Sequence, residues 1–141
     1  MDRQILWDCH MHSSFSADSD TPMEVMIHRA VETGLQGITF TEHLDPDYPC
    51  YSGQSGFFLW IFRLTKKNWL NFQICIRIKI QVRFGIELGL QMHLGEYFDS
   101  LLSQTPFDFV IVSSHLVHGY DPYYPEFFEG RKEFLCYMEY F

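Results

Sequence analysis

The sequence predicts an α/β fold built on parallel strands, and three observations carry that prediction. Short apolar runs rich in β-branched and aromatic residues recur along the chain, at Ile5-Leu6-Trp7, Leu35 to Thr41, Val82 to Ile86 and Phe107 to Val112. A stretch with helical periodicity separates the first two, which is the strand, helix, strand order of a βαβ unit. Each run also ends in imidazole or carboxylate: Asp8-Cys9-His10-Met11-His12, Thr41-Glu42-His43, Glu87 and Ser113-Ser114-His115. Barrels of alternating strands and helices gather their chemistry at that end of the strands.

Ile5 to Trp7 reads as a short strand that delivers Asp8, His10 and His12. Ser13 to Thr21 is loop-like, rich in Ser and Asp. Thr21 is expected to cap a helix with Pro22 at its first position and Glu24 at its third. Met26, Ile27, Ala30 and Val31 form the apolar stripe, and Gly34 suits the C-terminal cap. Leu35 to Thr41 is the next strand, ending at Glu42-His43. Val82 to Ile86 forms a third strand that ends in Glu87. A helix through Tyr97 to Leu102 leads to a fourth strand, Phe107 to Val112, which ends at His115.

The chain has 141 residues, enough for a real core, and 47% of them are hydrophobic. Its net charge of −8 argues against nucleic acid or an anionic membrane as a partner, because both repel an acidic surface. No uninterrupted apolar stretch is long enough to span a bilayer. The start, MDRQILWDCH, lacks the basic and apolar segments of a signal peptide. Cys9, Cys50, Cys75 and Cys136 show neither CxxC nor zinc-finger spacing, which fits reduced thiols and a cytoplasmic setting.

Two histidines spaced i, i+2 on a strand point the same way, so His10 and His12 can share one metal ion. Asp18 can fold back from the following loop, and His43, Glu87 and His115 complete a set of four imidazoles and two carboxylates. Nitrogen and oxygen donors without thiolate suit Zn²⁺, Mn²⁺ or Fe²⁺ and argue against a closed structural zinc site. A carboxylate such as Glu87 can bridge two ions, and paired metals can activate water and clamp a phosphate ester. His28 in a helix, His93 in a polar loop and His118 beside Gly119 read as structural. Asp45 and Asp47 flank Pro46 and read as turn chemistry. The aromatic segment Tyr120 to Phe128 reads as packing.

Taken together, DCHMHSSFSADS, GITFTEHLD, FGIELGLQ and FDFVIVSSHLVHGYDPYYPEFFEGR resemble the PHP (polymerase and histidinol phosphatase) superfamily of metal-dependent phosphoesterases, in its monofunctional histidinol-phosphatase branch. The last segment is long and specific to that branch. The resemblance implies the N-terminal half of a distorted (β/α)7 barrel holding two to three divalent ions, with residues 1–141 forming a partial PHP domain. It places His10, His12, Asp18, His43, Glu87 and His115 on the family's metal-ligand positions. The reaction implied is hydrolysis of the small-molecule phosphate ester L-histidinol phosphate in histidine biosynthesis, by a metal-activated water with no side chain assigned as the catalytic group. The alternatives are another PHP phosphoesterase or a non-catalytic metal-binding remnant.

Two departures from the family accompany the resemblance. Its members are roughly twice as long and carry further ligands beyond the position of Phe141, so this chain alone is expected to have little or no phosphatase activity. The segment from Gly56 to Ile80 is also atypical. It carries five of the ten basic residues, and no Asp or Glu occurs from Tyr48 through Gly85, where the family has an acidic amphipathic helix. Lineage divergence is one account of it. A compensated frameshift is the other: the Trp60 codon followed by any Ile codon reads aspartate in a shifted frame, and that frame permits an acidic helix throughout. The alternation in Ile74 to Ile80 has strand periodicity and aggregation potential.

Overall fold

A computed structural model gives the fold, and residues 5–49 and 80–140 are described. The atypical segment, apart from Ile80, lies outside the described residues. The described residues form five strands: β1 (Trp7–Met11), β2 (Gly37–Phe40), β3 (His43–Leu44), β4 (Gln81–Gly89) and β5 (Phe109–Ser113). Among the described residues three α-helices accompany them: α1 (Met23–Glu32), α2 (Gly95–Gln104) and α3 (Glu133–Tyr140). Every strand pairing among the described residues is parallel, as the alternation of strands and helices predicts.

The nine residues of β4 organise the sheet. Its first part pairs with β2, from Gly37↔Gln81 to Phe40↔Phe84. Its last part pairs with β3 on one side, through His43↔Glu87 and Leu44↔Leu88, and with β5 on the other, from Gly85↔Phe109 to Gly89↔Ser113. Glu87 therefore lies inside a strand, not past its end as the sequence suggests. The short strand β3 has no apolar run of its own; pairing with β4 creates it.

The expected first strand, Ile5 to Trp7, is displaced along the chain. β1 starts at Trp7 because its partner β2 starts at Gly37, and Trp7↔Gly37 opens their ladder. The register then slips between Asp8 and Met11, which pair with Ile38 and Phe40. One extra residue in β1 is a β-bulge, a device that bends a strand and re-aims its side chains. His10 sits in that bulge.

The helix caps divide between expectation and outcome. Thr21 does not cap α1: Pro22 holds the N-cap place in extended backbone, without a side-chain cap bond. The Thr21 carbonyl instead accepts from the Ser14 amide at 2.8 Å, closing the loop that carries Asp18. At the other end Gly34 has φ +82°, the Gly34 N–H donates to Val31 O and the Leu35 N–H to Ala30 O. That pair of bonds is the Schellman motif, and glycine takes the left-handed conformation there without strain.

The sheet has two unlike faces. Met23, Ile27 and Ala30 of α1 pack on Ile38 and Phe40 of β2, together with Ile80. Val31, expected in this stripe, is 39% exposed, and Met23 takes the buried place one turn earlier than predicted. Leu94 and Phe98 pack in the same way on Leu44, Ile86 and Leu88. On β4 the residues alternating with Ile86 and Leu88 are Gly85, Glu87 and Gly89, so the opposite face is narrow and polar. A third cluster joins Val117, Phe127 and Cys136. Phe127, with the partly buried Phe128 beside it, thus does the packing of the Tyr120 to Phe128 segment, while Tyr120, Tyr123 and Tyr124 are exposed. Cys9 and Cys136 are free thiols. Among the described residues no helix is long and apolar enough to cross a membrane.

Candidate metal centre

All six residues singled out from the sequence meet at the C-terminal end of the sheet. Glu87, 4% exposed, is the hub. Its Oε2 lies 2.6 Å from His10 Nε2 and 3.2 Å from His12 Nε2, and its Oε1 lies 3.0 Å from His115 Nε2. The Ser113 hydroxyl donates to Oε1 at 2.6 Å. Asp18 Oδ2 comes to within 3.3 Å of His43 Nε2. The rings form a chain, with centroids 4.9 Å apart for His10 and His12, 4.4 Å for His12 and His43, and 4.9 Å for His43 and His115.

Three overlapping groups in this cluster can each hold a metal ion: His10, His12 and Glu87; His12, Asp18 and His43; His43, Glu87 and His115. In each group one donor atom per residue lies within 4.8 Å of the others. His12, His43 and Glu87 belong to two groups apiece, the arrangement of donors that neighbouring ions share. His43 Nδ1 is buried and has no hydrogen-bond partner among the described residues. Buried polar atoms are rarely left so. A cation satisfies such an atom, and the nitrogen and oxygen donors of the cluster suit Zn²⁺, Mn²⁺ or Fe²⁺.

The electrostatics agree with this role. Burial by itself favours a neutral Glu87, but hydrogen bonds from His115, His12, Ser113 and His10 outweigh it and hold the carboxyl well below its ordinary range. Hydrogen bonds to Asp45 and Glu87 push His115 up to about 10. His43 is also raised, since the Asp45, Glu87 and Asp18 carboxylates overcome its burial.

Three further residues belong to the centre and escaped the sequence reading. Asp45, assigned there to a turn, is 7% exposed and its Oδ1 lies 2.7 Å from His115 Nδ1. The i, i+2 rule that linked His10 to His12 also links His43 to Asp45, and that spacing was the available signal. Ser113 stands in the Ser113-Ser114-His115 island but offered no pattern of its own. Glu42 is buried and accepts from the Ser13 amide at 3.1 Å and from the hydroxyls of Ser13 and Ser16. Burial raises its carboxyl above the ordinary range, with the serine hydrogen bonds opposing. The Ser16 hydroxyl in turn accepts the His43 amide at 3.1 Å, so Glu42 ties the loop after β1 to the backbone of β3.

The remaining histidines lie outside these groups. His28 is exposed on α1. His93 Nε2 meets Asp47 Oδ2 at 2.6 Å, and His118 Nε2 stands 3.5 Å from Glu139.

Comparisons with known proteins agree with the geometry. A histidinol-phosphatase of Lactococcus lactis subsp. lactis is 34% identical over 120 residues, which are 82% of this chain and 41% of the relative. A "Probable histidinol-phosphatase" of Clostridium acetobutylicum is 30% identical over 119 residues, covering 84% and 43%. The crystal structure of histidinol phosphate phosphatase from Lactococcus lactis, complexed with zinc, L-histidinol and phosphate, matches with a TM-score of 0.79 at 28% identity. That match covers 94% of this chain and 49% of the other. The chain spans less than half the length of the curated relatives it matches. The family model for the PHP domain matches residues 8–141, and with the parallel sheet and its cluster of imidazoles and carboxylates already in view, the chain belongs to the PHP domain family.

Proposed function

We propose that this chain supplies the metal-binding part of a phosphomonoesterase that hydrolyses L-histidinol phosphate to L-histidinol and phosphate, with two to three Zn²⁺, Mn²⁺ or Fe²⁺ ions as cofactors. The observation that carries the proposal is the buried Glu87 carboxylate, faced by His10, His12 and His115 and shared between two donor groups. His10, His12, Asp18, His43, Glu87 and His115 are the residues that would hold the ions. Divalent cations so held would lower the pKa of water and neutralise the charge of a phosphate ester.

The chain's own residues do the rest of the work. Ser113 donates to the Glu87 oxygen that faces His115 and so helps to hold the carboxylate between His115 on one oxygen and His10 and His12 on the other. Glu42 anchors the Ser13 to Ser16 turn, and through it the backbone of His43. The substrate class is supported by the two named relatives and by the L-histidinol and phosphate bound in the related structure.

The test is phosphate release from L-histidinol phosphate by this chain joined to the C-terminal portion of the Lactococcus lactis relative. Release that depends on added zinc or manganese and stops with chelator is expected. A folded, metal-loaded chimera that leaves L-histidinol phosphate intact would sink the substrate assignment.

A further inference from the structure

Asp45 and His115 approach each other from opposite sides of β4. Asp45 follows β3 and continues its register with β4, where His43 faces Glu87 and Leu44 faces Leu88. His115 follows β5, whose last residue, Ser113, pairs with Gly89. The 2.7 Å contact between Asp45 Oδ1 and His115 Nδ1 therefore passes over Gly89, the last residue of β4. The space there is fully used. A Cβ on Gly89 would lie 1.7 Å from Asp45 Oδ1 and 2.5 Å from its Cγ. The other Asp45 oxygen stands 3.5 Å from His43 Nδ1, so one buried carboxylate faces two rings of the cluster.

We propose that Asp45 is a positioning residue of the metal centre: by accepting a hydrogen bond from His115 Nδ1–H it fixes the ring so that Nε2 is presented beside Glu87, and Gly89 is the residue that leaves room for it. A ring nitrogen bonded to a carboxylate sets the tautomer and orientation of the other nitrogen and makes it a better donor to a metal. The inference rests on the metal-binding reading above.

Zinc is the probe, and the full chain is the sample. Imidazole ¹H–¹⁵N spectra of the zinc-loaded wild type should show His115 keeping its proton on Nδ1 and coordinating through Nε2. The reverse assignment overturns the proposal without need of any variant. Titration against a chromogenic chelator should show zinc affinity falling about ten- to a hundredfold in Asp45→Ala and in Gly89→Ala. Asp45→Asn, which keeps an acceptor but loses the charge, should fall less. Wild-type affinity in folded Asp45→Ala and Gly89→Ala overturns the proposal while leaving the metal centre standing. A wild-type chain that binds no zinc removes the metal reading, and this inference with it.

Discussion

His43 stands directly across the parallel ladder from Glu87, and its Nδ1 lies 4.0 Å from Glu87 Oε2. Their shared position in two neighbouring strands places a carboxylate and an imidazole from distant parts of the chain on one face. Replacing the charge at this hub should therefore affect every donor group containing it. Glu87→Gln is expected to weaken zinc binding by at least about a hundredfold, the upper end of what losing even an outer hydrogen-bond partner costs a metal site. Chelator competition measures it, and an affinity within a few-fold of wild type would remove Glu87 from the ligand set.

The pH dependence has opposite signs with and without metal. In the metal-free chain His115 is raised from 6.5 to about 10 by Asp45 and Glu87. Its contribution to stability is complete below the ordinary imidazole value and is lost as pH rises through about 10. Zinc must displace a proton from the same ring, so metal affinity should increase with pH and zinc loading near neutrality should release protons. Calorimetry in buffers of differing ionisation enthalpy tests this directly. Identical apparent enthalpies in all of them would contradict it.

Glu42 plays a different part, since its raised pKa comes mainly from burial. A neutral side chain with similar hydrogen-bonding reach should serve there, and Glu42→Gln is expected to change stability little. Glu42→Ala leaves the Ser13 amide and two serine hydroxyls without their acceptor and should cost about 1–3 kcal/mol. Denaturant titration of the metal-free chain separates the two. Equal losses in both variants would show that the carboxylate charge itself is required.

At the end of α1, Gly34→Ala places a Cβ in the left-handed conformation at φ +82° and should cost about 1 kcal/mol. The fold and the metal cluster stay in place, so thermal melting shifts while zinc affinity does not. An unchanged melting temperature would mean that the turn relaxes to another conformation.

The amino-acid sequence by itself determined the class of fold and singled out the six side chains that the structure brings together. Apolar runs broken by helical periodicity require strands and helices in alternation, and the i, i+2 spacing marked His10 and His12 as a pair, whose rings do lie 4.9 Å apart although a bulge at His10 interrupts the strand between them. The ends of the other apolar runs and the loop after the first added Asp18, His43, Glu87 and His115, and the family resemblance of the motifs placed the same six on ligand positions.

Tertiary structure decided the remainder. Thr21 looks like a helix cap until the loop closes and its carbonyl is taken by Ser14. His43 and Leu44 become a strand only because β4 offers them a ladder. Asp45 beside Pro46 has the local signature of a turn, and what joins it to the histidine cluster is His115, 70 residues away, reaching it across Gly89. Local periodicity specifies which way a side chain points. The partner it meets there depends on strand register, which is settled when the whole sheet pairs.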